Sequence, residues 1–209
     1  DWTSAGGFPE AFTTAHDALF TQCTLAAGER LFAHGAAGGV GIAGVQLGMA
    51  AGGRVVATVR NEALREAVAS FGAVTIAPEA FVDHGPFDVV LELIGAPNLT
   101  DDVRSLASGG RISIIGVGAG SKAELNLLDL MSKRARIHGS TLRARSLEDK
   151  AAAAGAVERQ VVPLLADGTV RVPVEATFPM AEAAAAYEYF AESTVKNKTE
   201  KFGIGQYVD

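Results

Sequence analysis

The feature that most constrains this chain is a glycine-rich turn between two apolar runs. Gly35-Ala36-Ala37-Gly38-Gly39-Val40-Gly41 follows a short strand-like stretch at 30–34 and opens a small-residue helix expected over 40–51. Within it, Ala36-x-Gly38-x-x-Gly41 occupies the frame G-x-G-x-x-G. In that frame Gly38 lets the backbone come close to a pyrophosphate, and Gly41 lets the helix pack against the preceding strand. The first free N–H groups of the helix then face the phosphates, helped by the helix dipole. Ala36 stands at the first glycine position, so the turn has to tolerate a methyl group there. No Lys-Ser or Lys-Thr follows the glycines, which excludes a P-loop. The alternative is a glycine-rich turn that holds no ligand.

The pattern on either side of the turn decides the fold class. Apolar strand-like runs are expected at 30–34, 54–59, 74–76, 87–94, 111–117 and 136–142, and helical segments at 40–51, 62–71 and 99–107 lie between successive strands. The helix at 99–107 is expected to stop at Gly109-Gly110. Nearly continuous apolar strands belong to a parallel sheet buried on both faces. The expected architecture is therefore α/β, a doubly wound parallel sheet (Rossmann fold) over about 27–145. A helix at 9–23 precedes it. After it come a long helix at 146–166 with Ser146 as N-cap, an extended stretch at 172–178, a helix at 180–192 and a terminal strand at 201–208.

Composition narrows the function classes. The chain of 209 residues is 48% hydrophobic and 20% charged, enough for a packed core. A net charge of −6 argues against nucleic acid as a partner. Cys23 is the single cysteine, so no intrachain disulfide can form, and a reducing, cytoplasmic location is the expectation. Residues 32–53 carry His34 as their one ionisable group and have the length of a membrane span. Their glycines and strand-like start favour a buried strand–turn–helix instead, so no membrane is expected as a partner. The chain opens on Asp1 rather than Met, as expected for a protein that was cut or that begins partway through a longer one.

The end of the second strand bears on which dinucleotide is held. NAD-binding units usually place a carboxylate there for the ribose hydroxyls. This chain has Thr58-Val59-Arg60-Asn61, and its first carboxylate is Glu62. The Arg60 guanidinium can pair with a 2′-phosphate and stack on adenine, which favours NADPH over NADH. The alternative is a solvated arginine at a helix start.

Several segments together resemble the zinc-independent quinone oxidoreductases of the medium-chain dehydrogenase/reductase superfamily. They are Ala33-His-Gly-Ala-Ala-Gly-Gly-Val-Gly41, Phe12-Thr-Thr-Ala-His-Asp-Ala18, Phe87-Asp-Val-Val-Leu-Glu-Leu-Ile-Gly95 and Gly109-Gly-Arg-Ile-Ser-Ile-Ile-Gly116. The resemblance implies that residues 1–26 are a leading helix and linker, 27–145 the cofactor domain, and 146–209 a C-terminal return belonging partly to a GroES-like catalytic domain that would precede this chain. It also implies the cofactor contacts. Thr14 would touch the nicotinamide ring. Gly38, Gly39, Val40 and Gly41 would form the pyrophosphate turn, with Val40 also behind the nicotinamide. Leu93, Ile94 and Gly95 would line the adenosine-ribose side, Ile115, Gly116 and Val117 would meet the carboxamide, and Lys201 stands near a basic phosphate contact. Glu10 replaces the cysteine that zinc-dependent relatives use, so no catalytic zinc is expected.

The remaining ionisable residues suggest no catalytic group. His16 and Asp17 are adjacent on a helix and point apart. His34 ends the first strand beside the turn, as a structural residue or one that touches the cofactor. Four dispersed histidines and one cysteine show no metal-ligand spacing, and no nucleophile motif is present. The resulting expectation is the NADPH-binding part of an oxidoreductase that moves hydride to a quinone, enone or enoyl-type small molecule. It would act as a homodimer joined through the edge strand 136–142. The alternative is a stand-alone nucleotide-binding or sensor module without catalysis.

Overall fold

In the middle of the central strands the side chains are apolar in both directions, and this dictates a sheet covered on both sides. In the computed structural model, which describes residues 2–195 and 204–208, Leu31 and Ala33 join one buried cluster while Phe32, between them, joins another. Val55 and Ala57 alternate with Val56 in the same way, and Val89 and Leu91 with Val90. The strands β1 (Arg30–Ala33), β2 (Arg54–Thr58), β3 (Val74–Ile76), β4 (Phe87–Glu92), β5 (Leu106–Ile114) and β6 (Arg136–Gly139) form one sheet in the order β3-β2-β1-β4-β5-β6, every pair parallel. The doubly wound α/β expectation therefore holds. The order reverses between β1 and β4, the place where such sheets open a crevice at their C-terminal ends.

One face carries α1 (Trp2–His16), α2 (Gly39–Ala50) and α6 (Leu147–Gln160). On that side α2 lies close to the sheet: a Cβ at Gly44 would sit 2.6 Å from Leu91 Cδ2, and one at Gly48 2.5 Å from Leu31 Cδ2. The other face carries α4 (Leu99–Ser105) and α5 (Leu127–Lys133) over Phe32, Phe81 and Phe87, whose rings stack at 5.1 and 4.6 Å. The short α3 (Arg65–Ala69) leads into β3. Beyond α6, a short α7 (Val162–Ala166) precedes β7 (Val174–Pro179), which pairs in parallel with β8 (Ile204–Val208), and α8 (Ala183–Val195) connects the two. Val157, Val161 and Val170 join the core with α1 and α2, so α6 and the turn after α7 pack onto the helical layer on that face.

Several boundaries moved, each for a local reason. The leading helix starts at Trp2 and widens into a π-helix over Asp17–Gln22. The helix expected at 99–107 ends at Ser105 because Leu106 is fully buried and takes extended geometry. Gly109-Gly110 is therefore no helix stop but part of an irregular stretch of β5, with Gly109 at φ +85 and Gly110 passing close over the Leu106 side chain. The long helix breaks at Val161, just before Pro163, which has no N–H to continue the ladder. Ser146 caps α6 as expected, its Oγ accepting from Asp149 N at 3.1 Å. The sixth strand stops at Gly139 because Ser140 turns to Asp17, donating its hydroxyl to Oδ2 at 2.9 Å. Lys201 lies outside the described residues. Among those described, no helix is long and apolar enough to cross a membrane.

The buried guanidinium of Arg111 ties the lower end of the sheet to the loop that leaves the leading helix. It donates to both Glu29 oxygens at 2.8 Å, to the Cys23 carbonyl at 2.7 Å and to the Thr24 carbonyl at 3.1 Å. It also reaches the Asp88 carbonyl at 3.3 Å, so truncation would take the guanidinium from Glu29 and the donor from three carbonyls. Arg111→Ala is therefore expected to lower unfolding free energy by about 3 kcal/mol, measured by urea denaturation with an unchanged m-value.

Candidate functional site

The crevice at the C-terminal ends of β1, β2 and β4 forms a cavity of about 470 Å³, bordered by the turn after β1, the end of β2 and the loops after β4 and β5. The turn is built from short contacts. Gly35 takes φ +60, with its N–H on Thr58 Oγ1 at 3.2 Å, and Ala36 N–H donates to the Thr58 carbonyl at 3.0 Å. The left-handed residue is thus Gly35, one position before the fingerprint's first glycine, which is why Ala36 can carry a methyl group. Gly38 is the extended N-cap of α2. A Cβ on Gly41 would lie 2.6 Å from Ala36 Cα, whereas one on Gly38 would meet only the Gly35 carbonyl at 3.7 Å. Gly41 therefore serves helix–turn packing, and the surface over Gly38 stays open for a ligand's approach.

The opposite wall consists of two loops laced together. Ile115 N–H and Gly116 N–H donate to the Glu92 carbonyl at 2.9 and 3.2 Å, Ala119 N–H to Ile94 O at 2.9 Å, and Ala96 N–H to Gly120 O at 2.9 Å. Gly116 crosses so close to β4 that a Cβ there would overlap the Leu93 carbonyl. Gly95, at φ +115, packs under the same loop.

Of the sequence-derived residues, Gly38, Arg60, Leu93 and Ile94 line the cavity together. Gly39, Val40 and Gly41 stand behind Gly38 in the first turn of α2, where backbone N–H groups have no helical acceptor. Gly95, Ile115, Gly116 and Val117 belong to the laced loops rather than the lining, and Ile115–Val117 lie past the end of β5. Thr14 sits half-buried on α1, away from the lining. Sequence reasoning missed Asn61, Leu64, Pro78, Asn98, Gly118 and Ala119, which also line the cavity. Leu64 and Pro78 form an apolar border beside Arg60 and come from separate turns, so no local motif marks them.

At the floor of the cavity lie three buried ionisable groups: His34, which is part of the lining, and Glu92 and Asp102 behind it. His34 Nε2 is 2.8 Å from Asp102 Oδ1 and 3.6 Å from Glu92 Oε2, and all three residues are at most 2% exposed. Glu92 Oε1 accepts from Ile94 N–H and, at 2.7 Å, from Gly95 N–H, and Oε2 accepts from Asn98 Nδ2 at 3.1 Å. Burial drives His34 down to about 4 and pushes the Glu92 and Asp102 carboxyls up, each to about 7. One ligand atom from each residue lies within 4.8 Å of the others. Glu92 already receives three N–H donors, however, so the cluster's readily available chemistry is proton sharing. His16 and Asp17 separate as their helix positions require: His16 Nε2 lies 2.9 Å from Gln160 Oε1, while Asp17 receives Arg145 at 2.8 and 2.6 Å. Glu10 is exposed on α1.

A strand–glycine turn–helix at the switch point of a parallel sheet is a dinucleotide-binding arrangement. The sequence profile of the zinc-binding dehydrogenases matches residues 39–158, which span α2 through most of α6. This chain belongs to the zinc-binding dehydrogenase family. As a member of that family it falls within the medium-chain dehydrogenase/reductase superfamily. It is 30% identical over 204 residues to a quinone oxidoreductase of Rattus norvegicus, covering 92% of this chain and 59% of that protein. It is 33% identical over 208 residues to the spectinabilin polyketide synthase system protein NorB of Streptomyces orinoci, covering 92% of this chain and 9% of that one. Among solved structures, the quinone oxidoreductase of Thermus thermophilus, determined also in complex with NADPH, superposes with a TM-score of 0.78 at 28% identity over 98% of this chain and 66% of the other. The chain thus spans about 59% of the rat relative's length.

The two glycines of this zinc-binding dehydrogenase turn can be separated by experiment. An added methyl at Gly41 meets backbone atoms that can move only with the whole turn, whereas at Gly38 it meets open space. Gly41→Ala is expected to lower stability by about 2 kcal/mol more than Gly38→Ala, read as the difference in urea midpoints.

Proposed function

We propose that the cavity binds a nicotinamide dinucleotide, NADPH in preference to NADH. We propose further that the chain is the cofactor-binding part of an oxidoreductase that passes hydride to a quinone, an enone or an enoyl thioester. The observation that carries this reading is Arg60 on the cavity wall at the end of β2, with Gly38 on the same wall and the first carboxylate not reached until Glu62. In this reading the pyrophosphate rests over Gly38 and the first N–H groups of α2. The adenosine lies between Ile94 and the Leu64–Pro78 border, with its 2′-phosphate at Arg60. The nicotinamide end runs towards Val40, Ile115–Val117 and Thr14. The open face over Gly38, which an added Cβ would occupy, fits a phosphate's close approach.

The dinucleotide supplies the hydride. This chain's residues bind it, fix its orientation and shield one side of it from water, and positioning of this kind accounts for much of the rate in hydride transfer. Support also comes from the relatives, which include quinone oxidoreductases. The acceptor's own pocket is assigned to residues outside this chain, and 146–209 to a return that packs partly against that same region. β6 is the sheet's outer strand, and we assign its edge to a twofold mate.

Paired titrations test the cofactor assignment. Wild type is expected to bind NADPH at least tenfold more tightly than NADH, and Arg60→Ala to lose most of that ratio while keeping its NADH affinity. A charge-assisted contact to phosphate is worth about 1.5–3 kcal/mol, or roughly ten- to a hundredfold. Equal affinities in wild type would refute the NADPH preference. Light scattering tests the assembly: a dimer is expected, and a monomer at micromolar concentration would count against the pairing.

A further inference from the structure

His34 on the cavity floor, with Glu92 and Asp102 behind it, forms a cluster whose members cannot all carry their usual charges. Two adjacent carboxylates with a neutral imidazole would put two negative charges in a buried site, where desolvation and mutual repulsion both disfavour the doubly charged state. Glu92 is the better stabilised of the two, since it receives Ile94 N–H, Gly95 N–H and the Asn98 amide. Asp102 bonds His34 through Oδ1 and hydrogen-bonds with the Glu92 carboxyl, but among the described residues its fully buried Oδ2 receives no N–H donor of the kind that Glu92 has. The extra proton therefore belongs to the Asp102–His34 pair.

The surroundings reinforce this assignment. From β1 comes His34 itself, from β2 the Thr58 hydroxyl 3.4 Å from His34 Nδ1, and from β4 Glu92. The turn over Pro78–His84 contributes the edge-on ring of Phe81 at 4.8 Å, and α4 contributes Asp101, whose charge pushes Asp102 up further. Asp101 itself pairs at 3.5 Å with Arg104 on the surface side of α4. On the cavity side stand Gly35, Gly38 and Arg60.

Neither carboxylate lines the cavity, yet each holds part of its wall. Glu92 grips the amides of Ile94 and Gly95, and Asp102 anchors His34, the residue before the Gly35 turn. We propose that Asp102 and Glu92 are positioning residues for the nucleotide, acting through His34 and the Ile94–Gly95 loop, and that the Asp102–His34 pair takes up a proton from solvent when the nucleotide binds. This rests on the dinucleotide reading given above. A pyrophosphate over Gly38 brings negative charge beside the cluster, and that charge favours the protonated state. By linkage the same proton favours the nucleotide.

Below the free cluster's titration the proton is already present and affinity does not change with pH. As pH rises through the free and then the bound titration, affinity falls, by about tenfold for each unit that separates them.

Isothermal titration of the whole chain with NADPH at pH 7.5, in buffers of different ionisation enthalpy, measures the proton directly. That pH lies above the second ionisation of the 2′-phosphate, at about 6, so the ligand contributes little. Wild type is expected to take up roughly half a proton per nucleotide, and Asp102→Asn close to none, with its NADPH affinity flat between pH 7 and 8.5. Glu92→Gln removes a neighbouring negative charge and is expected to reduce uptake as well, which serves if Asp102→Asn does not fold. NADPH heats in wild type that are the same in every buffer, or undiminished uptake in the folded variants, would overturn the proposal while leaving the dinucleotide reading intact. Failure of wild type to bind NADPH at any pH would overturn both.

Discussion

The close seating of α2 on the sheet is the constraint from which the rest of the molecule follows. Gly41, Gly44 and Gly48 stand where any side chain would strike the Ala36 backbone, Leu91 or Leu31. Removing side chains along that line lets the helix axis approach β1 and β4 and sets the direction of its N-terminus. Because that end points across the switch between β1 and β4, the unpaired N–H groups of the first turn face the crevice. The same proximity forces the sharp turn at Gly35, and with it the position of His34 on the cavity floor.

Much of the fold was legible because a doubly covered parallel sheet writes itself plainly. Runs such as Arg54-Val-Val-Ala-Thr58 and Phe87-Asp-Val-Val-Leu-Glu92 are apolar on both faces, and β1 to β4 lie within a residue or two of where the pattern puts them. The pattern misled where one residue's burial outweighed local preference. Gly109-Gly110 reads as a helix end, but the burial of Leu106 pulls the chain into the sheet three residues earlier. Ser140, a plausible strand residue, ends the strand because its hydroxyl bonds Asp17, a partner distant in sequence, and receives Arg145 from the following loop.

The site was half visible. The glycine turn and Arg60 are local signals, each readable from a few neighbouring residues. Leu64, Pro78 and Asn98 meet only after β2, β3 and β4 have been laid side by side, so no spacing rule could join them. The His34–Asp102–Glu92 cluster is hidden for the same reason. Its members come from β1's end, α4 and β4, and each looks ordinary in its own segment. A weak signal existed in the parity of the strands: His34 and Glu92 point to the side of Phe32 and Val90, where a charged group is out of place.

The lacing between the loops after β4 and β5 has a consequence for how a ligand arrives. Four backbone hydrogen bonds and the Gly116 crossing make that wall one piece, with neither loop able to swing aside alone. A guest therefore finds its berth already shaped and spends little of its interaction energy on ordering flexible chain. On this side of the crevice, access would need neither loop to move.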